Sequence, residues 1–345
     1  MSTQDGLYAR EPQALDADFT VRPTKKPKPL RAPKKERKPT PVLYMLSPQK
    51  YMSPFDINMA IDSGYKVILP YDGVTLGDVN GLVQDAIFSR PPQFCPRTGF
   101  FIGGKDINLA LEMMAATKKA MVPPFEVSVF ADPGGSFTTA AAMVACVERV
   151  LRRNFQRNLQ NAVVSVFGAT GVVGFASSVI AAMEGARVQM VAHESLEPVW
   201  VLAGLAKERF GVHIDVVAGF NEGAKSNIVH ESDVILSAAS AGIRVISRKQ
   251  IARAPNLLVA ADVNAVAPSG IEGVDLHMAG APLPGSSAFG VGPLAIGDVK
   301  YKVQAGLFKR MLGASKPLDL DFRHAFELAR SLTSDQPKGR RSRLA

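Results

Sequence analysis

The chain has 345 residues, 47% of them hydrophobic and 21% charged, a size that fits two domains with a core in each. This apolar content excludes a wholly disordered chain, and only two cysteines exclude a disulfide scaffold. The formal net charge of +9 belongs to the ends: residues 22–41 hold nine Lys/Arg against Glu36 and residues 336–345 hold four more, whereas residues 42–335 balance to zero.

Residues 1–40 read as a flexible basic arm, because its prolines and mutually repelling charges leave nothing to offset ordering entropy. No apolar h-region and no run of 18 apolar residues occurs, so neither a signal peptide nor a membrane span is expected, and the location expected is cytoplasmic. From residue 42, short apolar runs alternate with longer amphipathic stretches, the pattern of parallel strands joined by crossover helices. Strands are predicted at 42–46, 66–70, 100–103 and 125–131, then at 162–167, 187–192, 213–218, 233–238 and 257–261. Helices are predicted between them over 54–63, 76–88, 105–120, 138–154, 171–185, 197–210, 221–231 and 248–252, and two more, 297–312 and 322–332, close the chain with no strand of their own. The fold class expected is α/β with two α/β domains, over 41–155 and 156–315, the second a Rossmann-type parallel sheet binding a dinucleotide. The last helix, within 316–335, is expected to return to the first domain, leaving a cleft between the two and a basic tail at 336–345.

The strongest local motif runs from the apolar strand at 162–167 through Gly168, Ala169, Thr170 and Gly171 to Val172, Val173 and Gly174 at the start of a helix. Gly168 permits a tight turn, Gly171 lets the backbone approach a pyrophosphate, and Gly174 lets the helix pack on the strand, with phosphates at the helix N-terminus. The spacing is GxxGxxG rather than GxGxxG, but strand, turn, helix and a second strand occur in the required order. After that second strand, Glu194 is placed to bond a ribose 2′-hydroxyl, and His193 or Ser195 to meet a 2′-phosphate. The Glu194 carboxylate tilts the choice toward NAD without closing it.

Three further loops are too unusual for plain connectors. Asp132 to Thr139 (DPGGSFTT) opens a helix for which Ser136 or Thr138 is a natural N-cap, and its hydroxyls and glycines also suit a ligand. Asp262 and Asn264 follow the strand at 257–261, where open sheets place their crevices. The loop from Ala288 through Phe289 leads to Lys300, which is expected in the first turn of its helix, an unfavourable place for a cation unless a ligand needs it. Ala238 ends another strand of the second set, and Asp72 ends a strand of the first set as its one acidic cleft candidate.

Several chemistries find no support. His193, His213, His230, His277 and His324 show no metal spacing, no GxSxG turn occurs, and no catalytic carboxylate pair is evident, so no metal is expected. Cys95 and Cys146 lack the spacing of a zinc or redox site and read as buried small hydrophobes.

Taken together, DPGGSFTTAAA (132–142), GATGVVG (168–174), DVNAVAPSGIEGVD (262–275) and AFGVGPLAIGDVKYK (288–302) resemble the bacterial methylene-tetrahydromethanopterin dehydrogenases, whose relatives act on methylene-tetrahydrofolate. The resemblance spans residues 42–332 and implies NAD or NADP as cofactor, a tetrahydromethanopterin co-substrate, homo-oligomers and hydride transfer from a methylene carbon bridging two pterin nitrogens. By position it implies Lys300 as the residue that orients the pterin. It also places Thr138, Thr139, Asp262 and Asn264 near nicotinamide and pterin. Ala169 stands where the family places its first fingerprint glycine, and the arm has no counterpart in shorter relatives. Two alternatives stay open: a methylene-tetrahydrofolate dehydrogenase, and an NAD(P)-sensing regulator whose basic arm touches nucleic acid with an affinity that falls steeply with salt.

Overall fold

The computed structural model describes residues 39–334. The arm read over 1–40 lies, apart from Pro39 and Thr40, outside the described residues, as does the tail at 336–345. In the first half, β1 (Val42–Leu46), α1 (Pro54–Asp62), β2 (Val67–Tyr71), α2 (Val79–Phe88), β3 (Thr98–Ile102), α3 (Ile107–Ala120), β4 (Ser128–Ala131) and α4 (Ser136–Phe155) alternate as read from the pattern. The second half continues with β5 (Val163–Phe167), α5 (Val172–Met183), β6 (Arg187–Ala192), α6 (Glu197–Phe210), β7 (Asp215–Ala218), α7 (Glu222–Glu231), β8 (Val234–Ser237), α8 (Arg248–Ala252) and β9 (Val259–Asp262). It closes with β10 (Ala279–Pro282), β11 (Phe289–Val291), α9 (Pro293–Gly313), β12 (Asp319–Leu320) and α10 (Phe322–Thr333).

These strands form two sheets. A five-stranded parallel sheet has the order β12-β4-β3-β1-β2, and a seven-stranded one has the order β10-β11-β9-β8-β5-β6-β7, parallel except for β10. The fold is therefore α/β with a Rossmann-type second sheet, whose order reverses direction between β5 and β8, the place where such sheets bind ligands.

Three strands escaped the sequence pattern. β10 reads Ala-Gly-Ala-Pro and β11 Phe-Gly-Val, too short and too glycine-rich for alternation to show, and β12 has two residues. The expectation that the last two helices carry no strand is thus corrected: β12 lies between them and pairs with β4 of the first sheet.

The core is continuous from one sheet to the other. α4 is buried along most of its length because its Ala, Val, Met and Cys faces meet α10, α5 and α9 at once. The α9 ring Phe308 stands 5.5 Å from Phe101 and 5.3 Å from Phe130, so a helix that leaves the second sheet is wedged into the first. Each such buried ring contributes about 2–3 kcal/mol by burial. Asp321 caps α10, accepting from the Arg323 amide, and Phe322 sets its ring between Phe137 and Phe210.

Candidate active site

Two groups of residues sit at the carboxyl ends of the strands. The first lies beyond β1, β3 and β4. There Asp132, with no exposed surface, accepts from the Phe137 and Thr138 amides through Oδ1 (2.9 and 3.1 Å) and from the Thr138 hydroxyl through Oδ2 (2.7 Å). Asp132 therefore caps α4, and the expectation of Ser136 or Thr138 in that role is corrected; a carboxylate at a helix N-terminus gains from the dipole as well. Burial, with the nearby Asp56 carboxylate adding to it, pushes the Asp132 carboxyl up to about 6 against the pull of Lys300. The Thr138 side chain is spent inside this cap, and the Thr139 hydroxyl donates to the Gly135 carbonyl at 2.7 Å.

α9 brings Lys300 to the same spot. The helix begins at Pro293, so Lys300 is its eighth residue rather than a first-turn cation, and the dipole argument made from sequence does not apply. Its ammonium donates to Gln304 Oε1 at 2.8 Å and lies 3.7 Å from the centre of the Phe55 ring. The Gln304 amide in turn donates to Asp56 Oδ1 at 2.7 Å, closing a relay from Lys300 to Asp56 through one buried amide. Burial lowers the Lys300 pKa while Asp132 and Asp56 hold it up; burial likewise raises Asp56. Sequence reading missed Asp56, Gln304 and Phe55. The i,i+4 spacing of Lys300 and Gln304 was the available signal, whereas Asp56 joins them across 248 positions.

A concavity in front of this relay is lined by Tyr51, Met52, Ser53, Asp56, Lys105 and Gly134 among others. Asp72 follows β2, an edge strand, and stands exposed outside that lining. Phe289 is not at this site either. It pairs with Val259, the first residue of β9, at the opposite end of the second sheet, where its ring meets Phe155.

The second group surrounds the turn after β5. Gly168 has φ +75°, and a Cβ there would stand 2.5 Å from the Ala238 backbone; at Gly174 a Cβ would stand 2.3 Å from the Gly168 carbonyl oxygen. Turn, β8 and α5 are thus in main-chain contact, which only glycine allows. Gly171 differs, since a Cβ there meets nothing nearer than 3.5 Å. It is the exposed N-cap of α5, with no side chain bonding the first amides, which leaves those N–H groups for an anion. Ala169 is buried, Thr170 exposed, and Val172 and Val173 are half-buried on the opening turn of α5.

Beyond this turn a cavity is lined by Phe167, Gly168, Thr170, Val191, His193 and, from farther along the chain, Gly219, Lys225, Arg244 and Val245. His193 belongs to this lining, whereas the neighbouring Glu194 is 87% exposed and does not. Asp262 and Asn264 are also not among its walls. Asp262 has no exposed surface, and its carboxylate accepts from the Asn264 and Ile271 amides at 3.1 Å each. Asn264 accepts from the Gly242 and Val266 amides and donates to the Pro268 carbonyl. Both side chains are consumed in fastening the 262–271 loop to the 239–245 loop, so they support the cavity from behind.

Among the described residues no cluster of His, Cys, Asp or Glu suits a metal, both cysteines are buried thiols, and no helix is long and apolar enough to cross a membrane.

Connectivity links the two sheets. α9 starts beyond β11 at the carboxyl edge of the second sheet and delivers Lys300 about 10 Å along its axis to the carboxyl edge of the first. Comparison with known proteins identifies the relatives of the chain. Residues 54–134 match the family profile described as methylene-tetrahydromethanopterin dehydrogenase, N-terminal. Over 288 residues, 84% of this chain and 97% of the relative, the sequence is 50% identical to the NAD(P)-dependent methylenetetrahydromethanopterin dehydrogenase of Methylorubrum extorquens. It is 27% identical to the bifunctional protein MdtA of the same organism over 84% of this chain and 98% of the relative. Among solved structures, ornithine transcarbamoylase of Giardia lamblia superposes with a TM-score of 0.52 at 9% identity, covering 81% of this chain and 88% of that one, a likeness of fold alone. Identity of one half along nearly the whole of a curated relative, with the glycine turn and the Lys300 helix in place, makes this chain a member of the NAD(P)-dependent methylenetetrahydromethanopterin dehydrogenase family.

Proposed function

We propose that the chain transfers a hydride from the methylene carbon of methylene-tetrahydromethanopterin to NAD(P)+, leaving the methenyl cation. The observation that carries this reading is the relay from half-buried Lys300 through buried Gln304 to buried Asp56, on a helix that runs from one strand edge to the other. When bound, NAD(P)+ supplies the hydride acceptor. The glycine turn and the free N-terminus of α5 fit its pyrophosphate, since a Cβ at Gly168 or Gly174 would fill the close approach of the strands and helix there. We read the first sheet as the pterin side and the second as the cofactor side of one cleft.

The reaction needs no proton to move in its chemical step, because the product cation is stabilised by its own two nitrogens. What the chain supplies is orientation and field. Lys300 has three donors, one of which is fixed on Gln304; the others are available to a carbonyl or ring nitrogen of the pterin. The Asp56 and Asp132 carboxylates beside Lys300 offset the charge of its ammonium, so that it opposes less the positive charge developing on the pterin as the hydride departs. Phe55 offers an apolar face beside the same ammonium.

The test is to follow reduced nicotinamide by absorbance with methylene-tetrahydromethanopterin and methylene-tetrahydrofolate, each against NAD and NADP. Turnover with the methanopterin substrate is expected. Turnover with the folate substrate alone would transfer the assignment to that pterin, and silence in all four reactions would end the dehydrogenase reading.

A further inference from the structure

The cavity beyond β5, β6 and β7 carries a charge pattern that the dinucleotide reading does not by itself require. Three of its lining side chains are basic, His193, Lys225 and Arg244, and no carboxylate lines it. All three have acidic neighbours, Glu194 lying 3.8 Å from His193 Nε2, but these carboxylates lie outside the cavity wall. Glu222, the ion-pair partner of Lys225, is 73% exposed, whereas the Lys225 side chain is only 16% exposed. Arg244 meets Glu272 at 3.7 Å, and that carboxylate is committed to the Arg248 amide at 2.9 Å. The Lys225 ammonium also reaches the Val245 carbonyl at 3.4 Å, a long and weak bond that a stronger acceptor would displace.

The position of this cavity says which part of a dinucleotide it meets. It opens at the tips of the first three parallel strands of the second sheet, beside the residues after β6, where such folds read the 2′ position of the adenosine ribose. A neutral hydroxyl gains little from three basic groups, whereas a dianionic phosphate gains charge-assisted hydrogen bonds from each. Glu194, the one acid that the sequence placed there, stands out in solvent.

We propose that Lys225 and Arg244, with His193, form the site for a 2′-phosphate, so that the chain accepts NADP through contacts that NAD does not make. The proposal rests on the dinucleotide reading of the second sheet. Lys225 and Arg244 come from α7 and from the loop after β8, and neither belongs to a motif that marks the cofactor in sequence.

Titration of the full chain with adenosine 2′,5′-bisphosphate and adenosine 5′-monophosphate tests this without the pterin or turnover. The expected result is at least about tenfold tighter binding of the bisphosphate at low salt, narrowing as salt rises. In Lys225→Met, which keeps the aliphatic stem beside Gly219, and in Arg244→Ala, this preference should fall about tenfold, and Lys225→Arg should restore most of it. The NADP-to-NAD ratio of kcat/KM should move in parallel. Equal binding of the two fragments, no binding of either, or a preference that survives the double variant would overturn the site. Wild-type turnover of methylene-tetrahydromethanopterin with NAD is the separate readout of the dehydrogenase reading, so failure of one is distinguishable from failure of the other.

Discussion

Beyond β4 the chain presents charged side chains held by one another, Lys300 on Gln304, Gln304 on Asp56, and Asp132 on the first amides of α4. Beyond β5 it presents main chain, with Gly168 against Ala238, Gly174 against Gly168, and the uncapped start of α5. In the function proposed above, the first arrangement tunes a field at a reacting carbon, which takes ionisable groups whose burial shifts their proton affinity. In the same proposal the second brings peptide N–H groups to a diphosphate, for which any side chain is an obstruction. A substitution should therefore act through packing at the glycine turn and through kinetics at the lysine relay.

The sharpest break of this contrast is Gly168→Ala. A Cβ 2.5 Å from the Ala238 backbone at φ +75° should cost roughly 3 kcal/mol or more and abolish NAD(P) binding, as read by urea unfolding and cofactor titration. Gly171→Ala, with nothing nearer than 3.5 Å, should stay within about 1 kcal/mol of the parent. If the two variants are equally unstable, the turn is not the packed junction described above.

Next in size, Lys300→Ala should lower kcat with the pterin substrate roughly 100-fold while NAD(P) still binds. Unchanged kcat would remove Lys300 from the machinery.

Asp132 gives a pH signature. Its carboxyl is raised from 3.8 to about 6 in the folded chain. The folded state then holds this proton more tightly than the unfolded one, so the group's contribution to stability declines as pH rises from about 4 through about 6. The rate should move oppositely, rising through about pH 6 as Asp132 ionises beside Lys300. Asp132→Asn should flatten both trends, measured by pH-dependent unfolding and by the pH profile of kcat/KM. A rate profile whose inflection survives in that variant would assign it elsewhere.

The smallest effect belongs to Glu194→Gln. Since that side chain is 87% exposed and outside the cavity, the NADP-to-NAD ratio should change less than about twofold. A larger shift would return the ribose contact to Glu194 and weaken the case for Lys225 and Arg244.

What the sequence made legible followed from local pattern. The nine longer parallel strands and the glycine turn lie in contiguous residues whose period and spacing carry their structure. What stayed hidden is assembled across distance. The Asp56–Gln304 bond joins residues 248 positions apart, and Lys225 lines the same cavity as Gly168 only because β7 lies two strands from β5. Other candidates have side chains bonded within their own loops. Asp262, Asn264 and Thr138 are polar residues at strand or helix ends, and a sequence does not distinguish a side chain that meets a ligand from one that satisfies its own loop.

The pairing of β12 with β4 sets an order of assembly. Asp319 and Leu320 add the outermost strand to a sheet whose other four strands were all synthesised before residue 132. During synthesis that sheet must wait, with the edge of β4 unpaired, until about 190 further residues have emerged, because Leu318 and Val129 bond across that separation. A fragment ending after α4 would carry the same bare edge permanently, together with the uncovered α4 face that α9 and α10 otherwise bury. The half that carries the first sheet is therefore not a free-standing module, and isolating it for study calls for the closing segment from Pro293 onward to be supplied in trans.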